Sequence, residues 1–262
     1  MVGDYPHLHV AVDGLVATLA IDRPEAANAL SLELVNEVHR ALDDLRDAPH
    51  LLVVTSAVPG RFVAGADIAE LLARGEEDAL RAINVDLFDR IARWRWPTVA
   101  AIDGPAVGGG LELAMACDLR VASTRSWFRQ PEVGLGIVAG AGAHRRLVDL
   151  VGLGRARRML LAGVRVEAAE AYEWGLVDVV DDDPVGSAVA LARSMASQSL
   201  RALEFTKLVL ASVERPSTRT VDILAQAVLF ESDEKRARMG AFLEQRQRRG
   251  STGPGAGDPG GR

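Results

Sequence analysis

Cysteine is almost missing from this sequence, since Cys117 is the only one among 262 residues. One thiol cannot close an intramolecular disulfide, and it excludes a zinc site built from several thiolates. A cysteine content this low is typical of a reducing compartment. The N-terminal residues also lack a basic stretch followed by an apolar one, the pattern of a secretory signal. We therefore expect a cytoplasmic protein.

Long apolar runs are missing too. The run from Leu51 to Val54 is short, whereas a membrane helix needs about 18 uninterrupted apolar residues. Basic residues are in the minority, with 30 Lys and Arg against 36 Asp and Glu and a net charge of −6. An acidic chain gives no general attraction to nucleic acid. We expect neither a membrane span nor a nucleic-acid partner for a chain whose composition is otherwise ordinarily globular.

Strand and helix patterns alternate along the first half of the chain. Two apolar-rich runs flank Asp13-Gly14, a dipeptide that strongly favours a hairpin turn, and Ser31 is a suitable cap for the helix that follows. Alternation of this kind predicts a layered α/β core. The predicted strands cover residues 7–12, 15–21, 51–55, 98–102 and 119–122, and the predicted helices cover residues 31–47, 78–94 and 108–117.

Helical patterns dominate after Gly140. The last residues are rich in Gly and Pro and almost free of apolar side chains, so they cannot form a packed core. We predict a core with the functional site over residues 1–195, a C-terminal helical region over 196–249 and a disordered tail over 250–262. The predicted helices cover residues 141–150, 154–161, 167–174, 185–197, 199–213 and 219–247, with one strand at 176–180.

The first segment that indicates chemistry covers residues 61–68. Small residues lead into Asp67, which can cap a short helix, and small side chains let a ligand approach the backbone closely. The free N–H groups at such a helix start favour a negative oxygen. The alternative is a tight turn with an ordinary helix cap.

The second segment covers residues 104–118 and contains Gly108-Gly109-Gly110 at a helix start. Three glycines there lose much backbone freedom on folding, so something should offset that cost. Close approach of a ligand, with N–H groups directed at a developing oxyanion, is one candidate. Glu112 follows among apolar neighbours; the alternative for this acid is a charge that stabilises the helix start. Neither the Gly-Lys-Ser/Thr of a phosphate loop nor a dinucleotide-binding Gly pattern is present.

The third segment covers residues 127–136. Glu132 lies there in a loop punctuated by Pro and Gly, among apolar neighbours. Apolar surroundings disfavour the charged form of a carboxylate, which suits a group that transfers protons near neutral pH. The alternative is a solvated loop acid without a chemical role.

Together these segments resemble the enoyl-CoA hydratase/isomerase family, also called the crotonase superfamily. The most specific parts are residues 64–67, Gly108-Gly109-Gly110 with Glu112, and Gln130-Pro131-Glu132, which occur in order and at matching spacing. Arg23-Pro24 and residues 28–30 extend the resemblance to the start of the chain, and residues 163–180 extend it towards the end. The resemblance implies a spiral of ββα repeats followed by a helical region that builds trimers, often paired into hexamers.

The resemblance also implies a ligand and a set of site residues. The ligand would be an acyl-CoA thioester, with no metal and no cofactor beyond the coenzyme A of the substrate. The backbone N–H groups of Ala66 and Gly109 would form an oxyanion hole around the thioester carbonyl. Glu112 would deprotonate the water that attacks C3, and Glu132 would exchange the proton at C2. Further substrate or CoA contacts would come from Arg23, Ala64, Gly65, Asp67, Ile68 and Gly108.

Three departures from the family pattern surround the Glu132 segment. Arg129 stands where relatives commonly have Gly, Ala139 where they have Pro, and His144 where they often have Thr. Arg129 either points outward or narrows the acyl pocket, and His144 is interpreted as a surface residue. These changes leave both acids in place, so hydration of a trans-2-enoyl-CoA is the favoured activity. Fatty-acid β-oxidation, amino-acid breakdown and secondary metabolism all use such enzymes. The alternatives are another reaction of the family, such as double-bond isomerisation, and a non-catalytic acyl-CoA-binding subunit.

Overall fold

The computed structural model of the protein describes residues 3–213, 223, 226, 227 and 229–251. Its larger β-sheet has six strands. The strands lie in the order β1-β2-β3-β4-β6-β9. The first two form the predicted antiparallel hairpin, and every other neighbouring pair is parallel. The strands are β1 (Leu8–Asp13), β2 (Val16–Ile21), β3 (Leu51–Ser56), β4 (Thr98–Ile102), β6 (Leu119–Ala122) and β9 (Val179–Val180).

A second, smaller sheet stands beside the first and consists of β5 (Pro105–Val107), β7 (Trp127–Arg129) and β8 (Val166–Glu167). Two isolated parallel bridges, between Leu30 and Ala66 and between Val63 and Ala106, continue it. The chain thus passes repeatedly from a long strand of the first sheet to a short paired segment of the second. The sequence did not predict these short strands, because two or three residues carry no detectable periodicity.

Helices connect successive strands along the chain, and further helices follow β9. The predicted cap of the first helix is confirmed, since Ser31 Oγ accepts a hydrogen bond from Leu34 N at 3.2 Å. The helices are α1 (Leu32–Leu45), α2 (Ile68–Ala73), α3 (Glu76–Leu80), α4 (Ile83–Ala92), α5 (Gly109–Ala116), α6 (Ala143–Ala162), α7 (Ala168–Glu173), α8 (Pro184–Ala196), α9 (Leu200–Val213) and α10 (Asp233–Ser251).

Two predicted elements are wrong, and one predicted break between helices is confirmed. The single helix expected at 78–94 is two helices, because Ala82 adopts left-handed angles (φ 53°, ψ 32°) between α3 and α4. The two helices expected at 141–150 and 154–161 are recognisable on either side of a break at Gly152 (φ 79°) in α6. The strand expected at 176–180 shrinks to β9, because the N–H groups of Leu176 and Val177 both bond to Ala171 O at the end of α7.

The C-terminal prediction also needs correction. Helix α10 begins afresh at Asp233, since Ser232 Oγ accepts the N–H of Lys235 at 3.2 Å, so residues 219–247 are not one helix. Residues 219–222, 224, 225 and 228 of that prediction lie outside the described residues. Helix α10 continues to Ser251, into the segment predicted to be disordered, and residues 252–262 lie outside the described part. The division at residues 195 and 249 stays a prediction.

Two hydrophobic clusters hold these elements together. The larger one lies between the first sheet and helices α1, α4, α5 and α8. The smaller one joins α2, the segment after Glu132 and α10, and contains Leu71, Ile137, Phe230 and Met239. The C-terminal helix is therefore packed against the segments that carry the predicted site. Within the described residues, no helix combines the length and apolar character needed to cross a bilayer.

Candidate active site

The first predicted site segment is fixed by its pairing with Leu30. Leu30 N donates to Gly65 O at 2.8 Å, and Asp67 N donates to Leu30 O at 3.1 Å. In a parallel bridge of this kind the intervening residue directs its N–H to the other side. The Ala66 N–H therefore points away from Leu30, towards the start of α5.

The three consecutive glycines at the start of α5 each meet a different neighbour. Gly108 has a φ of +54°, a conformation that side chains rarely adopt. A Cβ on Gly109 would lie 3.4 Å from Ala66 N, and a Cβ on Gly110 would overlap Val63 O. Gly108 thus needs Gly because of its φ angle, and Gly110 needs Gly because Val63 O approaches it. Of the three glycines, only Gly109 borders the Ala66 N–H.

Ala66 and Gly109 line the same cavity. Gly109 is the first residue of α5, so its N–H has no acceptor within the helix. The partial positive charge of the helix start adds to the two donors. Such a pair can bind a carbonyl oxygen that gains negative charge, as predicted for these two residues.

Glu112 lies in the first turn of α5 and is almost completely buried, with 4% of its surface exposed. Its Oε1 accepts hydrogen bonds from Ala141 N at 2.8 Å and from Ala143 N at 3.1 Å. Burial raises the pKa of Glu112, while the two N–H donors favour the ionised form and oppose that shift. The side chain is therefore a buried carboxylate with one oxygen occupied and one left for chemistry.

The loop that supplies those two donors is held by Arg146. Its Nη1 donates to Ala141 O at 2.9 Å, and its Nη2 donates to Asp89 Oδ1 at 3.0 Å. The sequence does not reveal this support, because Arg146 is remote from Glu112 along the chain. The only sequence signal was the position of Arg146 in the segment that departs from the family pattern.

Glu132 begins a short 3₁₀ helix, Glu132–Leu135, and is 8% exposed. Burial, and then the negative charge of Glu112, raise its pKa to about 8. Gln130, only 1% exposed, donates to both carboxylate oxygens at 3.0 Å when its amide nitrogen faces Glu132. With a pKa of about 8, Glu132 keeps its proton at neutral pH. Glu112, with its two backbone donors, is the group that ionises first.

One cavity brings together most of the predicted residues. Arg23 and Asp67 are not among its described lining residues: Arg23 Nη1 donates to Asp67 Oδ2 at 2.9 Å and to Ala29 O at 3.0 Å, while Asp67 caps α2. This pair therefore supports the Ala66 segment from outside the cavity. The predicted residues that line the cavity are Ala64, Gly65, Ala66, Ile68, Gly108, Gly109, Glu112 and Glu132.

Comparison with known proteins decides the family. Residues 12–249 match the family described as enoyl-CoA hydratase/isomerase. The chain belongs to this enoyl-CoA hydratase/isomerase family. It is 34% identical to a crotonyl-CoA hydratase of Syntrophomonas wolfei over 252 residues, which cover 93% of this chain and 97% of the relative. It is 32% identical to a short-chain-enoyl-CoA hydratase of Clostridium acetobutylicum over 247 residues, covering 90% of this chain and 94% of the relative.

Solved structures of the enoyl-CoA hydratase/isomerase family share the fold. An enoyl-CoA hydratase/isomerase from Mycobacterium paratuberculosis superposes with a TM-score of 0.83 at 29% identity, over 91% of this chain and 100% of that one. The predicted α/β fold of the crotonase type, with a helical C-terminal region, is confirmed. Family membership also confirms the prediction of an enzyme of the crotonase superfamily.

The departures from the family pattern have distinct positions. Arg129 is exposed and its Nε donates to Gly163 O at 2.8 Å, so it points outward. Ala139 is buried. His144 is half-buried rather than on the surface, and it lines a second cavity of about 330 Å³ that shares Glu132 as a wall. Ala139 lines this second cavity as well, so two of the three departures share a cavity wall with Glu132.

Proposed function

We propose that this protein is an enoyl-CoA hydratase that reversibly adds water, in the syn sense, to a trans-2-enoyl-CoA to give a 3-hydroxyacyl-CoA. The observation that carries the proposal is the shared cavity of Glu112 and Glu132, with the N–H groups of Ala66 and Gly109 in its wall. Two buried acids and two backbone donors are the groups that this reaction needs.

The thioester carbonyl would accept hydrogen bonds from Ala66 N and Gly109 N. Attack of water on C3 moves an electron pair from the C2–C3 double bond towards the carbonyl oxygen, which becomes an enolate oxygen. Donors fixed in advance stabilise that charge without having to reorganise. The loss of one such donor typically lowers kcat by about 10²–10³-fold.

The proton transfers follow from the different surroundings of the two acids. Ionised Glu112 removes a proton from the attacking water, whose oxygen bonds to C3. Protonated Glu132 donates its proton to C2, which completes the addition of H and OH. Positioned acids and bases of this kind contribute roughly 10²–10⁴-fold to a rate. The raised pKa of Glu132, about 8, supports its role as the donor at neutral pH.

Two other activities are less well supported. Double-bond isomerisation moves a proton between carbon atoms and uses no attacking water, so one acid suffices. A non-catalytic acyl-CoA-binding subunit needs neither acid. The burial of both Glu112 and Glu132 against the same cavity costs free energy and favours a reaction that employs the pair.

The assembly state and the location in the cell are parts of the same proposal. We infer a cytoplasmic homotrimer, alone or paired into a homohexamer, that takes an acyl-CoA thioester and no further cofactor. Helix α9 supports assembly, because it exposes 50% of Phe205, 62% of Leu208 and 65% of Leu210. Light scattering coupled to gel filtration gives the mass, and Leu208→Glu is expected to lower it. A monomeric wild-type chain contradicts the assembly proposal.

The test of the activity is hydration of crotonyl-CoA, followed by the loss of absorbance of the conjugated thioester. Wild-type protein should bleach it, and Glu112→Gln and Glu132→Gln should each lower the rate by at least about 100-fold. Glu37→Gln is the matched control, since Glu37 is also buried but bonds to His7 away from the cavity. The hydratase proposal fails if enoyl chains of short, medium and long length all persist. A 3-enoyl-CoA that gains conjugated absorbance instead favours the isomerase.

A further inference from the structure

The cavity of Glu112 and Glu132 extends to the start of α4, where it meets the polar side chain of Asn84. Asn84 is half-buried, but its Oδ1 atom is enclosed by protein and accepts no hydrogen bond from any described residue. A buried amide oxygen without a donor is destabilising, so its retention needs a reason. A donor on the ligand is one such reason.

The backbone before Asn84 is strained in the same place. Ala82 has a φ of +53°, a conformation that is unusual for a residue with a Cβ. This residue separates α3 from α4 and turns the chain so that Ala82, Ile83 and Asn84 all line the cavity. The strained backbone at Ala82 therefore lies where the chain places the Asn84 carboxamide at the cavity wall.

The other polar side chains of this end of the cavity already have partners. Arg74 pairs with Glu70 at 3.2 Å, and Asp78 Oδ2 accepts Gly75 N at 3.1 Å. Gln226 Oε1 accepts Val138 N at 3.3 Å. Among the described residues at this end of the cavity, Asn84 Oδ1 is the side-chain acceptor that these contacts leave without a donor. The terminal torsion of Asn is soft, so the amide oxygen can turn from this enclosed position towards the cavity.

We propose that the Asn84 end of the cavity takes the acyl chain and selects an enoyl-CoA whose acyl chain carries a hydroxyl group, with Asn84 Oδ1 accepting the hydroxyl hydrogen. This inference rests on the proposed hydratase function and specifies its substrate class. A plain alkyl chain leaves the oxygen desolvated and unpaired, whereas a hydroxylated chain satisfies it. Sites built to hydrogen-bond a substrate hydroxyl discriminate strongly against analogues that lack it.

The experiment compares pairs of trans-2-enoyl-CoA substrates of four, six and eight acyl carbons, with and without a hydroxyl group on the terminal carbon. Wild-type protein should favour the hydroxylated member in kcat/KM by about tenfold or more at the length that reaches Asn84. Asn84→Leu, similar in size but apolar, should abolish that preference and raise kcat/KM for the plain chain. Ile83→Leu, the neighbouring cavity residue, is the matched control and should change both members of a pair by the same factor.

A second variant and a binding measurement separate the possible failures. Asn84→Ala should lose the preference as Asn84→Leu does, and it replaces Asn84→Leu if that variant does not fold. Equal kcat/KM values within every pair, unchanged in the variants, overturn the inference and leave the hydratase proposal standing. If no substrate is hydrated, the hydratase proposal fails. Calorimetric binding of the saturated acyl-CoA pairs then decides the inference: a hydroxyl preference lost in Asn84→Leu supports it, and equal or absent binding overturns it.

Discussion

Gly108 and Glu132 lie so close together that a Cβ on Gly108 would be 2.7 Å from Glu132 Oε1. Real Cβ atoms do not tolerate that distance, so the carboxylate occupies the space that a side chain at position 108 would take. Gly108 also has a φ of +54°, and its N–H donates to Arg129 O at 2.9 Å. The absence of a side chain at Gly108 therefore leaves the space that the Glu132 carboxylate occupies.

Gly108→Ala should displace the Glu132 carboxylate and lower kcat for hydration by about 100-fold, since a shift of about 1 Å can cost that much. The matched control is Gly14→Ala, because Gly14 has a similar φ of +58° but nothing within 4 Å of its position. Both variants should lose similar free energy of unfolding in urea from the strained φ. Only Gly108→Ala should lose activity; equal activity in the two variants contradicts the role of this contact.

Gly109→Ala tests the oxyanion hole without straining the backbone. The added methyl group would make an ordinary contact of 3.4 Å with Ala66 N, where the thioester oxygen is expected to bind. We expect kcat to fall by about 10²–10³-fold, as for the loss of an oxyanion donor. The free energy of unfolding should stay the same or rise, since Ala is a better helix former than Gly. Activity close to wild type argues that the carbonyl binds elsewhere.

The pH dependence of the rate follows from the raised pKa of Glu132. Hydration needs Glu132 to hold a proton, so kcat/KM should fall as the pH rises through about 8. Dehydration of a 3-hydroxyacyl-CoA starts from ionised Glu132 and protonated Glu112, which is the same pair of acids holding one proton. Its kcat/KM should therefore fall through the same range. Initial rates in both directions between pH 6 and pH 10 measure this (a range chosen about two units either side of that pKa). If the hydration rate instead rises through pH 8, the prediction is wrong and Glu132 is not the acid that holds the proton.

With its amide nitrogen turned towards Glu132, Gln130 donates two hydrogen bonds to that carboxylate, and the change Gln130→Leu removes them. Both bonds go to the carboxylate oxygens and favour the ionised form, so their loss raises the pKa of Glu132 further. The alkaline limit of the hydration rate should therefore move to higher pH in the variant. A positional role predicts this shift of the pH profile, whereas general destabilisation predicts a lower rate at every pH. An unmoved profile contradicts the assignment of the amide orientation.

The sequence was sufficient to locate the candidate site. Glu112, Glu132, Ala66 and Gly109 were identified from short motifs, and the structure places all four on one cavity. Local rules also predicted the hairpin at Asp13-Gly14 and the cap at Ser31, because the physical cause of each lies within a few residues.

The remaining parts depend on contacts between distant segments, which local patterns do not contain. The donors to Glu112 come from Ala141 and Ala143, and the support of their loop comes from Arg146 and Asp89. The cost of three glycines suggested a ligand, but Gly110 makes room for Val63 and Gly108 makes room for Glu132. The break at Ala82 was missed because a left-handed Ala leaves the apolar spacing of a helix unchanged.

The buried proton of Glu132 should also appear in the stability of the protein. Its pKa is about 8 in the folded state against an ordinary value of 4.5, so between these values the folded chain holds a proton that the unfolded chain has released. The unfolded state binds fewer protons there, and the free energy of unfolding therefore falls as the pH rises from 4.5 to about 8.

Glu132→Gln removes this proton uptake and should flatten the decline, which makes the variant more stable than wild type above pH 8 by at least about 1 kcal/mol. Urea unfolding at closely spaced pH values measures the difference, with Glu37→Gln as the buried-acid control that keeps the decline. Parallel curves for wild type and Glu132→Gln mean that Glu132 is ionised in the folded protein. In that case Glu132 cannot be the proton donor to C2 at neutral pH, because the proton that hydration requires from it is absent.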